Sequence, residues 1–442
     1  MKIDLNKDHL AIHGGTPSRS LEKKWLDNFT TGEEEKQAVM RVFDSGYLSL
    51  FEGSHKPDYP FSFEGGPFVQ AFEKEWCAYY NVAHSISMNS ATSGLFAAVG
   101  ALGIGYGDEV IVSPYTMTAC ALAPLIYGAI PVFADVELET GCLDPNSIRK
   151  RVSINTKAIL VVHQFGIPAK MDEIMLIAEE FGIKVIEDCA QAHGCCYKDQ
   201  AVGTIGDIGV FSLNVNKTIQ TGEGAVCVTN NDELAYRLKL IRNHGEAVVG
   251  PAGYKNITNI AGYNYRMTEI LAAVASVQLR KLNKLNTERI RMVEFLANGL
   301  AQYDFIQPLI GRPECSHCNC DQKTKCKPTY YVFPMRFIPK KCNLSREEFI
   351  KVLNAEGFLF FQGYVKPLYF QPLYQEKQLF KHGYPFNAVE NKNLNMDYSA
   401  GSCPNAERLH FKEMIISEHI RLPNTMEDMK DVLDAIEKIV KE

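Results

Sequence analysis

The sequence predicts an α/β fold built on a mainly parallel sheet with helices on both faces. Near-continuous apolar segments of strand length occur at Val110–Val112, Ile130–Phe133, Ala158–Val162 and Ile183–Ile186. An amphipathic helix pattern at Asp172–Phe181 separates the last two. Strands that are apolar throughout and alternate with helices are typical of parallel sheets buried on both faces. At 442 residues, the chain is also long enough for a second domain.

Composition and charge argue against nucleic acid and membranes as partners of this chain. Hydrophobic residues make up 46% and charged residues 22%, which is ordinary for a soluble enzyme. The net charge is −6 and no basic run stands out, so neither nucleic acid nor an anionic membrane is expected as a partner. The first residues lack the apolar segment of a secretory signal, and we expect a cytoplasmic protein. The longest apolar stretch, Ala119–Ala134, contains two prolines and a glycine, which indicate a buried helix, a turn and a strand.

We expect a large domain over residues 1–300, including an irregular N-terminal segment, and a smaller C-terminal α+β domain over residues 301–442. In the large domain, Glu33–Ser45 has a helical pattern and Tyr47–Gly66 has the composition of a loop. A long helical pattern follows residue 262 and ends near Leu300. The small domain is predicted to contain one strand and two helices, at Tyr330–Phe337, Ser345–Glu356 and Thr425–Val440.

Two residues in the stretch Ile183–Asn230 suggest a cofactor. Asp188 lies at the end of an apolar strand, and Lys217 lies in the loop after the strand-like Ile208–Leu213. Lys217 has no charged neighbour at helical spacing, and the tight turn Gly222-Glu223-Gly224 follows it. Pyridoxal phosphate requires an amine that holds it as a Schiff base and an anion beside its ring nitrogen. On spacing alone, an ordinary surface lysine is an equally good interpretation.

A second feature is the segment Asn89-Ser90-Ala91-Thr92-Ser93-Gly94, which opens a helical run. The free backbone N–H groups at the start of a helix form an anion site. An ordinary helix cap explains the same residues, and the sequence alone favours that interpretation.

Several segments, in order, resemble the DegT/DnrJ/EryC1/StrS family of sugar aminotransferases. They are VIEDCAQAHG, VGTIGDIGVFS and K-x₃-TGEG, with GDEVIVSPYT upstream and RNHG downstream. The resemblance extends from Gly14-Gly15-Thr16-Pro17 to the segment Cys403-Pro404-Asn405-Ala406-Glu407. It implies a fold-type-I enzyme, like aspartate aminotransferase, with a mainly parallel seven-stranded sheet. It also implies pyridoxal phosphate as the cofactor and a homodimer with shared active sites.

The resemblance assigns roles to residues of this chain. Lys217 would hold the cofactor and move the proton, and Asp188 would pair with the ring nitrogen. Gln191 would contact the ring hydroxyl. The cofactor phosphate would be bound by Ser212 and by the helix start at Ser90, Ala91 and Thr92. The family has a glycine where Ala91 stands and prefers a further glycine after Gly224, so the local turn differs here.

Three further positions carry open alternatives. The family often places an aromatic residue on the pyridine ring where this chain has Met117, so either Met117 or Tyr115 would cover the ring. Core packing is an equally good interpretation for both. Asn264, in Gly262-Tyr263-Asn264-Tyr265-Arg266-Met267, matches an asparagine that reaches the phosphate from the neighbouring subunit; the alternative is a turn before a helix. His163 and His193 are expected to have only supporting roles.

The resemblance implies transfer of an amino group from glutamate or glutamine. The acceptor would be a nucleotide-linked keto sugar or a keto-cyclitol. A sugar dehydratase of the same family is the close alternative, but those enzymes replace the lysine with histidine. A cofactor-binding protein without turnover is a further alternative. A nicotinamide site is not expected, because no G-x-G-x-x-G follows an early strand.

An insertion at residues 311–328 is rich in cysteine. Four thiols, of Cys315, Cys318, Cys320 and Cys326, could hold a tetrahedral zinc ion. However, the paired C-x₂-C pattern of zinc knuckles is absent, so a reduced loop without metal is the favoured interpretation. Thirteen cysteines in a cytoplasmic chain are expected to be thiols or ligands rather than disulfides.

Overall fold

A seven-stranded sheet forms the centre of the protein. The computed structural model describes residues 1–5, 7–52, 62–250, 253–311 and 326–441. The strands of this sheet are β1 (His84–Met88), β2 (Glu109–Val112), β3 (Ile130–Phe133), β4 (Thr156–Val162), β5 (Lys184–Asp188), β8 (Ile208–Ser212) and β9 (Ala225–Thr229). A short hairpin, β6 (Cys196–Tyr197) and β7 (Gln200–Ala201), lies between β5 and β8.

The order of the strands is β1-β9-β8-β5-β4-β2-β3. Only β9 is antiparallel to its neighbours, and the remaining pairs are parallel. The prediction of a mainly parallel seven-stranded sheet is therefore confirmed. Because β9 is antiparallel to both β1 and β8, strands β1, β5 and β8 run in the same direction. Their carboxyl ends, where α/β sheets bind ligands, meet at one edge.

Helices cover both faces of this sheet. They are α2 (Pro67–Tyr80), α3 (Ala91–Ala101), α4 (Ala119–Ile126), α5 (Pro145–Arg151), α6 (Met171–Phe181) and α7 (Asp232–Arg242). Successive residues of β2 point to opposite faces, so Val110 and Val112 lie in one apolar cluster and Ile111 in the other. This double burial explains why the strands are apolar throughout.

The longest described helix packs against two of the other helices. The helix α8 (Glu269–Leu300) packs against α1 (Glu33–Ser45) and α2. The helix α1 has the predicted bounds, but its Phe43 is 56% exposed, whereas Ala38 and Val42 are buried. The side chain of Glu269 accepts hydrogen bonds from the backbone N–H groups of Gly66 (3.0 Å) and Phe68 (2.8 Å), which satisfies donors at the start of α2.

The C-terminal part contains a smaller antiparallel sheet of β10 (Ile306–Pro308), β11 (Phe333–Phe337), β12 (Phe361–Gln362) and β13 (Met414–Ser417). Helices α9 (Arg346–Ala355), α10 (Pro372–Gln375), α11 (Pro404–Arg408) and α12 (Met426–Val440) accompany it. The observed strand begins at Phe333, three residues after the predicted start at Tyr330. Both predicted helices are present. The end of α8 lies at the predicted boundary, but the division into two domains stays a prediction.

The N-terminal segment, which we assigned to the large domain, makes close contacts with the C-terminal part. The backbone N–H of Ile3 donates to the Asn343 side chain at 2.6 Å. The buried carboxylate of Glu356 accepts from the backbone N–H groups of Ala11 and Ser18 at 2.9 and 2.8 Å. These contacts hold the segment against the small sheet.

Arg19 is almost fully buried and forms ion pairs with Asp428 and Asp431 on α12. Burial alone would raise the pKa of Asp428, but hydrogen bonds from Arg19, the backbone of Thr425 and Lys23 hold it well below its usual value. This stabilisation is therefore present at neutral pH and is lost as the pH falls through the acidic range. The attachment of the N-terminal segment to α12 therefore depends on an ion pair as well as on packing.

We expect Arg19→Ala to lower the free energy of unfolding by about 3 kcal/mol, because a buried carboxylate would lose its partner. Urea denaturation at neutral pH measures this loss. The matched control is Lys430→Ala, which removes an exposed lysine from α12, the helix that carries Asp428. Equal midpoints for the two variants would contradict the importance of the Arg19 contact.

Cys315, Cys318 and Cys320 lie outside the described residues, so the zinc hypothesis stays untested. Of the four, only Cys326 is described, and its sulfur accepts a hydrogen bond from the backbone N–H of Lys198 at 3.4 Å. In the described part of the chain, no helix combines the length and the apolarity that crossing a membrane requires.

Candidate active site

Asp188 lies at the carboxyl end of β5, beside the parallel strand β8. It is buried, and each oxygen of its carboxylate has a donor. The Cys120 thiol donates to Oδ2 at 3.0 Å, and the backbone N–H of Ala190 donates to Oδ1 at 2.9 Å. Burial raises the pKa of Cys120 well above its usual value, and Asp188 raises it further, so the thiol keeps its proton. Each carboxylate oxygen can still accept a further hydrogen bond.

The backbone of the Lys217 loop is held by hydrogen bonds on both sides. The Lys217 N–H donates to Asn214 O at 2.9 Å, and the Asn28 side chain donates to Lys217 O at 2.8 Å. Its Nζ lies 4.4 Å from the ring centroid of Tyr331, a cation–π contact with the C-terminal part. Within the described ranges, the Lys217 amine forms no ion pair with a carboxylate. The amine is therefore available to a ligand.

His193 is a buried neighbour of Lys217. Burial, together with the nearby charge of Lys217, lowers the pKa of His193 to about 3. No well-formed hydrogen bond reaches either ring nitrogen from the described residues. The imidazole is therefore neutral at physiological pH and adds no positive charge beside the lysine.

The start of α3 lies at the same sheet edge as Asp188. Ser90 follows the end of β1 and caps the helix, since its Oγ accepts from the Ser93 N–H at 3.2 Å. The N–H groups of the next two residues have no partner within the helix. Gly94 allows α3 to pack closely on the sheet, because a Cβ at this position would lie 2.8 Å from the side chain of Val210. Ser212, at the end of β8, completes an edge suited to an anion.

Gln191 connects the sheet edge with the C-terminal part. Its Oε1 accepts from the Phe165 N–H at 2.7 Å, and its Nε2 donates to the Tyr364 hydroxyl at 3.0 Å. Tyr115 is fully buried, with its ring 5.9 Å from that of Tyr364. Met117, by contrast, is 52% exposed. Of the two residues expected to cover a bound ring, Tyr115 is thus a core residue and Met117 is accessible.

Asn264 is exposed, and its side-chain oxygen accepts from Arg266 Nε at 2.7 Å. Its carbonyl accepts from the Asn89 side chain of the same chain at 3.4 Å. The backbone N–H of Asn89 also donates to Tyr265 O at 2.8 Å. The Asn264 segment therefore lies beside the start of α3 in its own chain.

His163, Glu187 and Cys189 are buried, and their ligand atoms lie within 4.8 Å of one another, a spacing compatible with a metal ion. Their hydrogen bonds favour a structural role. His163 Nδ1 accepts from the Ala169 N–H at 3.1 Å, so Nε2 carries the proton that it shares with Glu187 at 3.0 Å. Glu187 also accepts from the backbone of Gly203 at 2.7 Å. A metal ion would have to displace these contacts.

Similar proteins connect this geometry to known enzymes. Residues 61–437 match the DegT/DnrJ/EryC1/StrS aminotransferase family. The chain belongs to this family. The match covers most of the chain and confirms the resemblance found in its motifs.

Two curated relatives align over nearly their whole length. One is the L-glutamine:2-deoxy-scyllo-inosose aminotransferase of Streptoalloteichus tenebrarius, which is 30% identical over 98% of this chain and 98% of its own length. The other is the spore coat polysaccharide biosynthesis protein SpsC of Bacillus subtilis, which is 29% identical over 93% of this chain and 95% of its own.

Solved structures show the same fold. The aminotransferase from Psychrobacter cryohalolentis superposes with a TM-score of 0.77 at 27% identity, over 94% of this chain and 98% of that one. DesV of S. venezuelae, solved with a ketimine intermediate, gives a TM-score of 0.73 at 28% identity, over 92% of this chain and 95% of its own. These likenesses confirm the predicted fold type.

Proposed function

We propose that this chain is a pyridoxal-phosphate-dependent aminotransferase that moves an amino group from glutamate or glutamine to a nucleotide-linked keto sugar. The observation that carries the proposal is the shared sheet edge. A carboxylate, an amine that forms no ion pair with the described residues, and the start of a helix all lie where β1, β5 and β8 end. An unrelated binding site would not need all three.

The residues present fit the cofactor. The N–H groups at the start of α3 and the Ser212 hydroxyl suit its phosphate. Asp188 can accept from a protonated ring nitrogen while it keeps its bonds to Cys120 and Ala190. Met117 is exposed whereas Tyr115 is buried in the core, so we assign the covering role to Met117 rather than to Tyr115.

When bound, pyridoxal phosphate supplies an electron sink for cleavage of a bond to the substrate carbon. Lys217 holds the cofactor through Nζ and, once released, accepts and returns a proton at that atom. Asp188 would accept the hydrogen bond of the protonated ring nitrogen. Neutral His193 places no second positive charge beside the Lys217 amine.

A keto-cyclitol is the alternative acceptor. It is favoured by the relative from Streptoalloteichus tenebrarius, whose name specifies L-glutamine and 2-deoxy-scyllo-inosose. The sugar dehydratase alternative is disfavoured, because Lys217 stands where those enzymes have histidine. A protein that binds the cofactor without turnover is the third alternative.

The visible spectrum of the purified, cofactor-loaded protein tests the proposal. Addition of glutamate or glutamine should remove the absorbance of the lysine-bound cofactor, and a keto acceptor should restore it. A spectrum that neither donor changes would contradict the aminotransferase proposal and favour a binding protein. Formation of a deoxy sugar in place of an amino sugar would favour the dehydratase.

We also propose a homodimer in which Asn264 of one subunit serves the phosphate site of the other. A mixture of Lys217→Ala and Asn264→Asp chains, each nearly inactive alone, should regain activity after refolding. The mixed dimer contains one intact site, and random association makes about half of the dimers mixed, so about a quarter of wild-type activity is the ceiling.

Each variant refolded alone provides the control for this complementation. The expected result requires that heterodimers form, which native mass spectrometry verifies. If heterodimers form but the mixture stays inactive, Asn264 does not act across the subunits. Its contact with Asn89 of its own chain would then define its role.

A further inference from the structure

Arg421 is a buried cation that forms no ion pair with any residue the structure describes. It follows β13, is 8% exposed, and makes one side-chain hydrogen bond among the described residues, to Asn216 O at 3.5 Å. Its Nε is buried and has no hydrogen-bond partner among the described residues. Burial lowers the pKa of Arg421; Glu418 and Asp27 oppose this shift, but neither carboxylate forms an ion pair with it. Most of its donors are thus unused.

Arg289 on α8 is a second such cation. It is 3% exposed and donates to the Thr218 hydroxyl at 2.7 Å, and its Nε is also without a partner. Burial, together with the nearby charge of Arg421, lowers the pKa of Arg289 to about 9, and the contribution of Arg421 indicates that the two cations lie close together. The described residues offer no carboxylate ion pair to Arg289 either.

Both arginines lie around the Lys217 loop. Arg421 contacts the residue before Lys217, and Arg289 contacts the residue after it. Tyr331, whose ring lies under the Lys217 amine, influences the pKa of both guanidinium groups and is therefore near all three cations. The loop that carries the reactive amine is thus surrounded by positive charge.

Other buried arginines of this chain differ. Arg19 pairs with Asp428, Arg242 with Glu73 and Arg336 with Glu413. Arg237 donates to the carbonyl oxygens of Ala101, Asn256 and others. A buried charge without a partner is costly, and such a group is expected only where a ligand supplies the missing charge.

We infer that Arg421 binds a carboxylate of the amino-acid donor, with Arg289 adding to the positive field. The inference rests on the proposed function. An amino acid carries its α-carboxylate one carbon from the amine that must meet Lys217. Arg421 already contacts the backbone next to Lys217, and its fork can bind a carboxylate with two hydrogen bonds. Arg421 is thus a specificity-determining residue for the donor.

The first test measures binding without chemistry. Glutarate has carboxylates but no amine, so its affinity for the cofactor-loaded protein can be measured by calorimetry even if no donor reacts. Arg421→Gln should weaken binding roughly 10- to 100-fold, the range for loss of a charged hydrogen bond. Arg421→Lys keeps the charge but loses the fork, so we expect an intermediate loss.

Arg291→Gln is the matched control, since it makes the same change at an exposed arginine on α8. It should bind glutarate as the wild type does. If the wild type binds no glutarate, or if Arg421→Gln binds it normally while retaining the cofactor spectrum, the inference is wrong. Because no turnover is involved, this outcome is distinct from failure of the aminotransferase proposal.

The second test identifies the source of the carboxylate. Arg421→Gln should raise the half-saturating concentration of glutamine but not that of 4-aminobutanamide, which has the same amine without the α-carboxylate. Equal effects on both compounds would contradict the assignment. Binding of glucuronate that depends on Arg421, with glutarate unaffected, would assign the site to a sugar carboxylate and overturn our inference.

Discussion

Lys217→Ala is expected to lower turnover at least roughly 1,000-fold, because it removes both the covalent attachment of the cofactor and the base that moves the proton. The variant should remain folded and still bind pyridoxal phosphate, because the start of α3, Ser212 and Asp188 do not depend on the lysine. Steady-state kinetics with glutamine measure the loss. Mass spectrometry after borohydride reduction should show the cofactor attached at Lys217 in the wild type and no attachment in the variant.

Lys157→Ala is the control for this change, since Lys157 is exposed on β4. Its turnover and its attached cofactor should equal those of the wild type. Near-normal turnover in Lys217→Ala, or attachment at another lysine, would refute the assignment of Lys217 as the catalytic amine.

Asp188→Asn is expected to lower turnover on the order of 100-fold. A neighbouring opposite charge shifts a pKa by about 1 to 3, so loss of the carboxylate reduces the protonated ring population roughly 10- to 1,000-fold. The amide oxygen can still accept from the Ala190 N–H, so the fold should be retained. Kinetics measure the loss, and the cofactor absorbance should respond to pH differently from that of the wild type.

Asp232→Asn provides the comparison, because its side chain is 96% exposed and carries the same change in charge. It should leave turnover and spectrum unchanged. If Asp188→Asn also kept both, Asp188 would not be the partner of the ring nitrogen.

The central sheet was accessible from sequence because its signal is local. The pattern at Ile130–Phe133 predicts that strand with its observed bounds, since a strand buried on both faces must be apolar at every position. Element ends were less accurate, as with the strand that begins at Phe333. Burial on a helix was not accessible either: Phe43 of α1 is apolar yet exposed, because spacing identifies a helix face but not what covers it.

The positions of Asp188 and Lys217 followed from strand ends and family motifs, whereas the contacts around them did not. Cys120 lies 68 residues from Asp188 along the chain, and nothing in its local pattern indicates a hydrogen bond to a carboxylate. The pattern around Tyr331 likewise predicts only the start of a strand and does not indicate a contact with Lys217. The environment of the site therefore required the tertiary structure.

The sequence by itself determined the fold class, the strand ends that carry Asp188 and Ser212, and the loop lysine, because each depends on residues close together in the chain. Only the tertiary structure decided that Met117 is accessible while Tyr115 is buried. It alone also placed Arg421 beside Asn216, across 205 residues. The physical reason is that burial and charge neutralisation depend on contacts between side chains far apart in the sequence, and local periodicity does not determine those contacts.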